Sequence, residues 1–111
     1  MRDHDIGDVI VTENNKVRGI LTDRDVVVRG IADGPGSRQV RVHEVHSADL
    51  TTESPQDTLD SAAEAMRRHD VRRLAVVDGD KPVGILSLGD LAVERDPDSA
   101  LADISTASPN R

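Results

Sequence analysis

The sequence predicts an α+β fold made of one unit written twice. Three observations carry this: a gapless internal repeat, a hairpin pattern inside each copy, and a helix-start signal closing each hairpin. The repeat comes first, because overlooking one mis-assigns the whole fold. Residues 1–33 align without a gap on residues 66–98, with Met1/Met66, His4/His69, Asp5/Asp70, Val11/Val76, Lys16/Lys81, Gly19/Gly84, Ile20/Ile85, Leu21/Leu86 and Asp25/Asp90 identical. Chance rarely holds register over such a length.

Each copy then reads in the same order. An apolar run (residues 9–12; 74–77) leads into a polar turn (13–16; 78–81) and a second short apolar run (17–21; 82–86), the pattern of a β-hairpin. Thr22 or Ser87 follows, with Asp25 or Asp90 three residues later, the spacing of a capping box with Asp in place of Glu. The first of these helices is expected to end near Gly34, in the Gly-Pro-Gly-Ser cluster at 34–37. The second copy has a prologue: a short strand over 49–52, a helix starting at Ser54-Pro55, and Leu59, Ala62, Ala63 and Met66 recurring at helical spacing. The complete unit is therefore strand-helix-strand-strand-helix. Because Met1 aligns with Met66, the first repeat lacks its N-terminal strand and most of its first helix. The expected division is 1–47 for the first repeat, with a linker from about residue 34, and 48–111 for the second repeat and tail. Short helices are expected over 40–45 and 99–104, before a frayed Ser-Pro-Asn-Arg end at 108–111.

Composition narrows the function classes. The formal charge is −7, with Lys and Arg interspersed among Asp and Glu, which opposes binding to a nucleic-acid backbone. Phe, Tyr and Trp are absent, so there is no platform for stacking single-stranded bases, and a bound base must lie between aliphatic side chains. The absence of cysteine excludes disulfides, thiolate metal sites and a cysteine nucleophile, and suits a reducing, cytoplasmic setting. No apolar run approaches the roughly 20 residues of a membrane span, so no membrane partner is expected.

The phrases Gly19-Ile-Leu-Thr-Asp-Arg-Asp25 and Gly84-Ile-Leu-Ser-Leu-Gly-Asp90, with His4-Asp-Ile-Gly and His69-Asp-Val-Arg-Arg-Leu-Ala-Val-Val-Asp78, resemble the CBS domain, which occurs in tandem pairs as a Bateman module. The resemblance covers nearly the whole chain. It implies a regulatory protein and not an enzyme, with two clefts between the repeats in which AMP, ADP, ATP or S-adenosylmethionine binds and no required cofactor. It further implies that Asp25 and Asp90 accept hydrogen bonds from ribose hydroxyls, since a carboxylate offers two charged acceptors to a vicinal diol. Thr22 and Ser87 would bond ribose or phosphate, at a helix N-terminus that favours an anion. Thr51 and Thr52, in the strand that lies against the adenine, and Val71 would also contact the ligand. Arg24, Arg72 and Arg73 would supply phosphate contacts through their planar forks; Gly89, Gly7 and Asp8 occupy the matching columns, so the two copies would differ in charge. The same residues also read as plain helix caps and solvated surface arginines, which leaves a ligand-free dimerisation or protein-interaction module as the alternative.

His43 and His46 lie three apart, a spacing open to a metal, but no carboxylate-rich or thiolate partner accompanies them in the sequence, and no metal is expected. His4 and His69 fall at a helix-to-strand joint. Nothing resembles a nucleophile with a base and an orienting acid. The unmatched first copy leads to two expectations: self-association as a homodimer, and a reading frame that begins upstream of Met1.

Overall fold

The computed structural model describes residues 1–34 and 39–108; most of the breaker cluster at 34–37 and the end of the tail at 109–111 lie outside the described residues. The chain forms two compact units, Met1–Leu50 and Thr51–Arg111.

The first unit opens on a 3-10 turn, Arg2–His4, that ends at Asp5, which takes the left-handed conformation at φ 51°. Strands β1 (Asp8–Glu13) and β2 (Lys16–Thr22) pair antiparallel, from Asp8 opposite Thr22 to Glu13 opposite Lys16. The two-residue turn between them has positive φ at both Asn14 and Asn15, the conformation that matches strand twist and that Asn tolerates. Helix α1 (Asp23–Asp25) passes into a π turn over Val26–Gly30 and a 3-10 turn over Ile31–Asp33, and the chain turns off at Gly34, φ 95°. Three consecutive valines and a glycine, all poor at holding α geometry, account for the irregular winding where one regular helix was expected. Helix α2 (Val42–Val45) follows, and Ser47 then exchanges both backbone bonds with Ile20 of β2 (3.1 and 2.9 Å). That crossing runs over Gly19, where a Cβ would overlap the Ser47 carbonyl and the His46 ring.

The second unit holds the complete strand-helix-strand-strand-helix order. Strand β3 (Thr52–Glu53) lies parallel to β4 (Arg73–Asp78), which pairs antiparallel with β5 (Lys81–Ser87). The repeat is visible in detail: the register of both hairpins slips at the same column, between Val11 and Thr12 and between Val76 and Val77, and Asp70 ends its helix in the left-handed conformation as Asp5 does. Helix α3 (Leu59–His69) buries Ala62 and Met66, helix α4 (Leu88–Arg95) buries Leu91, and both meet the fully buried Leu74 of β4 in one apolar core flanked by Leu59, Ala63, Ala65, Val71 and Leu86. Helix α5 (Ala100–Thr106), capped by the Ser99 hydroxyl, packs on α4.

Two boundaries in this unit differ from expectation. The first strand covers Thr52–Glu53 and not 49–52. The helix begins at Leu59 and not at Ser54-Pro55, because the Asp57 carboxylate accepts the Ser54 N–H (2.7 Å) while the Asp57 N–H donates to the Ser54 carbonyl (3.0 Å), closing a separate turn. Thr58 then caps α3, its hydroxyl accepting the Ser61 N–H at 3.1 Å.

Candidate functional site

Both repeat motifs are built by the same local rule. The second strand of each hairpin ends in extended backbone at Thr22 or Ser87, and the chain turns into a helix by a reciprocal cap. The Thr22 hydroxyl accepts the Asp25 N–H (3.1 Å) while Asp25 Oδ2 accepts the Thr22 N–H (3.0 Å). In the second copy Ser87 and Asp90 exchange the same two bonds at 3.1 and 2.8 Å. The first helical N–H in turn donates to the residue just before the first hairpin strand: Asp23 to the Gly7 carbonyl and Leu88 to the Arg72 carbonyl, both 2.8 Å.

These bonds gather the sequence-predicted residues at one end of each sheet. In the second unit Arg73 is the register partner of Ser87, Arg72 is tied to Leu88, and Thr52 sits opposite Ala75, two residues along from Arg73. Thr51 directly precedes β3, and Val71 packs against the core at the joint between α3 and β4. In the first unit Thr22, Arg24 and Asp25 come together at the corresponding end, with no strand in the place of β3 among the described residues.

The two motifs differ in what remains available for a ligand. Asp25 is buried, 6% exposed, and both of its oxygens are engaged: Oδ2 in the cap, and Oδ1 with Arg29 Nη1 at 3.7 Å. The same guanidinium nitrogen donates to the Val45 carbonyl (3.3 Å) and the Ser47 hydroxyl (3.4 Å). Asp90 is exposed, and its Oδ1 has no partner among the described residues. The backbone donors follow the same division. In α1 the Asp23 N–H goes to Gly7, the Arg24 N–H to the Asp23 carboxylate (2.8 Å) and the Asp25 N–H to Thr22. In α4 Leu88 and Asp90 are used in the same way, but Leu88 has no carboxylate to offer the Gly89 N–H. Arg29 and Asp23 were not singled out from the sequence; the i,i+4 spacing of Asp25 and Arg29, and the columns Asp23/Leu88 and Arg29/Glu94, are the signals that point to them.

Beside this end, burial and the nearby Asp57 push the Glu53 carboxyl above its ordinary range, whereas the Ser54 N–H, followed by Glu53, holds Asp57 below its own. A cavity of about 820 Å³ in the first unit is lined by residues that include Val11, Arg18, Val42, His43 and His46 and none of the predicted ligand residues. His46 Nδ1 lies 3.1 Å from the Val42 carbonyl. Among the described residues no three His, Asp or Glu side chains converge where a metal ion could be held.

A hairpin running through Gly-Ile-Leu into a Thr- or Ser-capped helix, present twice in register, defines a small α+β repeat module. The CBS domain family matches residues 1–30 and 42–95, and the chain belongs to that family as a CBS pair. It is similar to the CBS domain-containing protein YhcV of Bacillus subtilis, 40% identical over 95% of this chain and 77% of that protein. Hypoxic response protein 1 of Mycobacterium tuberculosis is 31% identical over 83% of this chain and 65% of its own length. Among solved structures, a protein with CBS domains from Burkholderia ambifaria superimposes with a TM-score of 0.75 at 30% identity, over 89% of this chain and 73% of that one.

Proposed function

We propose that the chain is a cytoplasmic regulatory sensor that binds an adenosine-type ligand at the motif of its second copy, with AMP, ADP, ATP and S-adenosylmethionine as candidates. CBS domain proteins are regulatory modules, and nucleotide binding is typical of the family. The observation that carries the reading for this chain is Asp90: an exposed carboxylate whose orientation is locked through Oδ2 by its cap, with Oδ1 left to accept from a ribose hydroxyl. Arg73, the register partner of Ser87, and Arg72, just before β4, supply cationic forks for phosphate. A nucleotide that binds only the folded chain adds about 2.7 kcal/mol at a hundredfold excess over its dissociation constant, which for a domain of this size raises the melting temperature by several degrees. A thermal-shift panel of the four candidates tests the proposal; a midpoint unmoved by all of them at millimolar concentration refutes it.

A second reading, pairing of two copies, is supported by apolar side chains exposed in the first unit. Ile6, Val27, Val28, Ile31 and Val42 are each about half exposed, and apolar surface of this kind is a common basis for association.

A further inference from the structure

We infer that the first copy is closed to the ligand by its own side chains, so that each chain takes up a single adenosine nucleotide, at Asp90; the inference rests on the nucleotide-binding reading above. The two motifs share the same caps, although α1 runs into a π turn where α4 continues as a regular helix, and two columns of the repeat set what each carboxylate meets. In the first, Asp23 stands where the second copy has Leu88, and its carboxylate takes the Arg24 N–H at 2.8 Å. In the second, Arg29 stands where the second copy has Glu94. Arg29 forms an ion pair with the Asp25 Oδ1 that a ribose hydroxyl would need, its Nη1 standing 3.7 Å away, while the Val45 carbonyl and Ser47 hydroxyl hold that Nη1 in place. A ribose arriving at Asp25 meets a buried carboxylate with a guanidinium already paired beside it. At Asp90 it meets a solvated oxygen, since Glu94, one helical turn on, bears the same charge and cannot pair with it. Arg29 is thus a specificity-determining residue that works by pairing with the buried carboxylate, and the first motif serves to fasten this helical segment to Val45 and Ser47.

Equilibrium dialysis with radiolabelled AMP tests this, with circular dichroism confirming the fold of each variant. The wild-type chain is expected to bind one AMP. Asp90→Ala is expected to weaken binding roughly 10- to 100-fold, the loss of a hydrogen bond to a charged acceptor, while Asp25→Ala leaves affinity and stoichiometry unchanged. The decisive variant carries Leu88→Asp with Glu94→Arg, which installs both closing residues in the second copy without touching Ser87 or Asp90. Both positions are exposed, so the fold should tolerate them, and Glu94→Arg alone serves should the pair prove unstable. Binding is expected to fall at least tenfold. Two AMP per wild-type chain, Asp25→Ala as damaging as Asp90→Ala, or wild-type affinity in the grafted variant overturns the inference and leaves nucleotide binding standing. Absence of saturable binding by the wild-type chain removes both.

Discussion

At the scale of single residues, identical letters in the two copies have different surroundings. Gly19 and Gly84 share a column, yet a Cβ at Gly19 would overlap the Ser47 carbonyl and the His46 ring, while at Gly84 it would meet nothing within 4 Å. Gly19→Ala is therefore expected to destabilise the chain by about 1–3 kcal/mol through overpacking. Gly84→Ala should be neutral or slightly stabilising, because it restricts the unfolded chain at no cost to the folded one. Urea midpoints of the two variants give the comparison directly, and equal losses would contradict it. Glu53 and Asp57 supply a pH test. Glu53 binds its proton more tightly folded than unfolded because it is partly buried beside Asp57, so its contribution to stability is lost as pH rises through the ordinary Glu range to its raised folded value. Glu53→Gln should melt higher than wild type at neutral pH, with the gap closing in acid. Asp57 has the opposite sign: held low by the Ser54 N–H, it stabilises above its ordinary range and loses that contribution as pH falls. A Glu53→Gln gap independent of pH would contradict the assignment.

At the scale of elements, the hairpins and caps were legible because each depends on neighbours in sequence. A two-residue polar turn between apolar runs, and a hydroxyl three residues before a carboxylate, need no tertiary partner to form. The start of α3 was misplaced for a reason of the same kind: Ser54-Pro55 and Thr58 both fit a helix start, and the choice fell to Thr58 once Asp57 had closed the Ser54 turn. The π turn after α1 was not legible, since valine and glycine weaken an α-helix without specifying what replaces it. Packing sets the energetic weight of each element. Leu74 is fully buried against Ala62, Met66 and Leu91, so Leu74→Ala should cost about 2–5 kcal/mol. Thr58→Ala, which removes only a cap, should cost about 1 kcal/mol. Chemical denaturation of both variants checks the ordering; the reverse ordering would place the core elsewhere.

At the scale of the whole molecule, the buried apolar side chains are unevenly shared. The second unit holds a continuous cluster around Leu74 and exposes Val83, Leu88, Leu101 and Ile104, while the first buries only Leu21 and Val45 among the described apolar residues and exposes Ile6, Val27, Val28, Ile31, Val40 and Val42. Self-association is the expected consequence, in the form of a homodimer at tens of micromolar. Light scattering with refractive-index detection, which suits a chain without aromatic residues, measures it, and a monomer at that concentration would contradict it.

The sequence by itself determined the repeat, the two hairpins, the reciprocal caps and the family, because gapless register and local hydrogen bonding are properties of order along the chain. It also named Asp25 and Asp90 as a matched pair of candidate ligands. Only the tertiary structure decided that they are not equivalent. Arg29 reaches Asp25 in the same position from which it grips Val45 and Ser47, residues 16 and 18 positions away. Such a convergence depends on where the chain returns after α2, which no local pattern encodes.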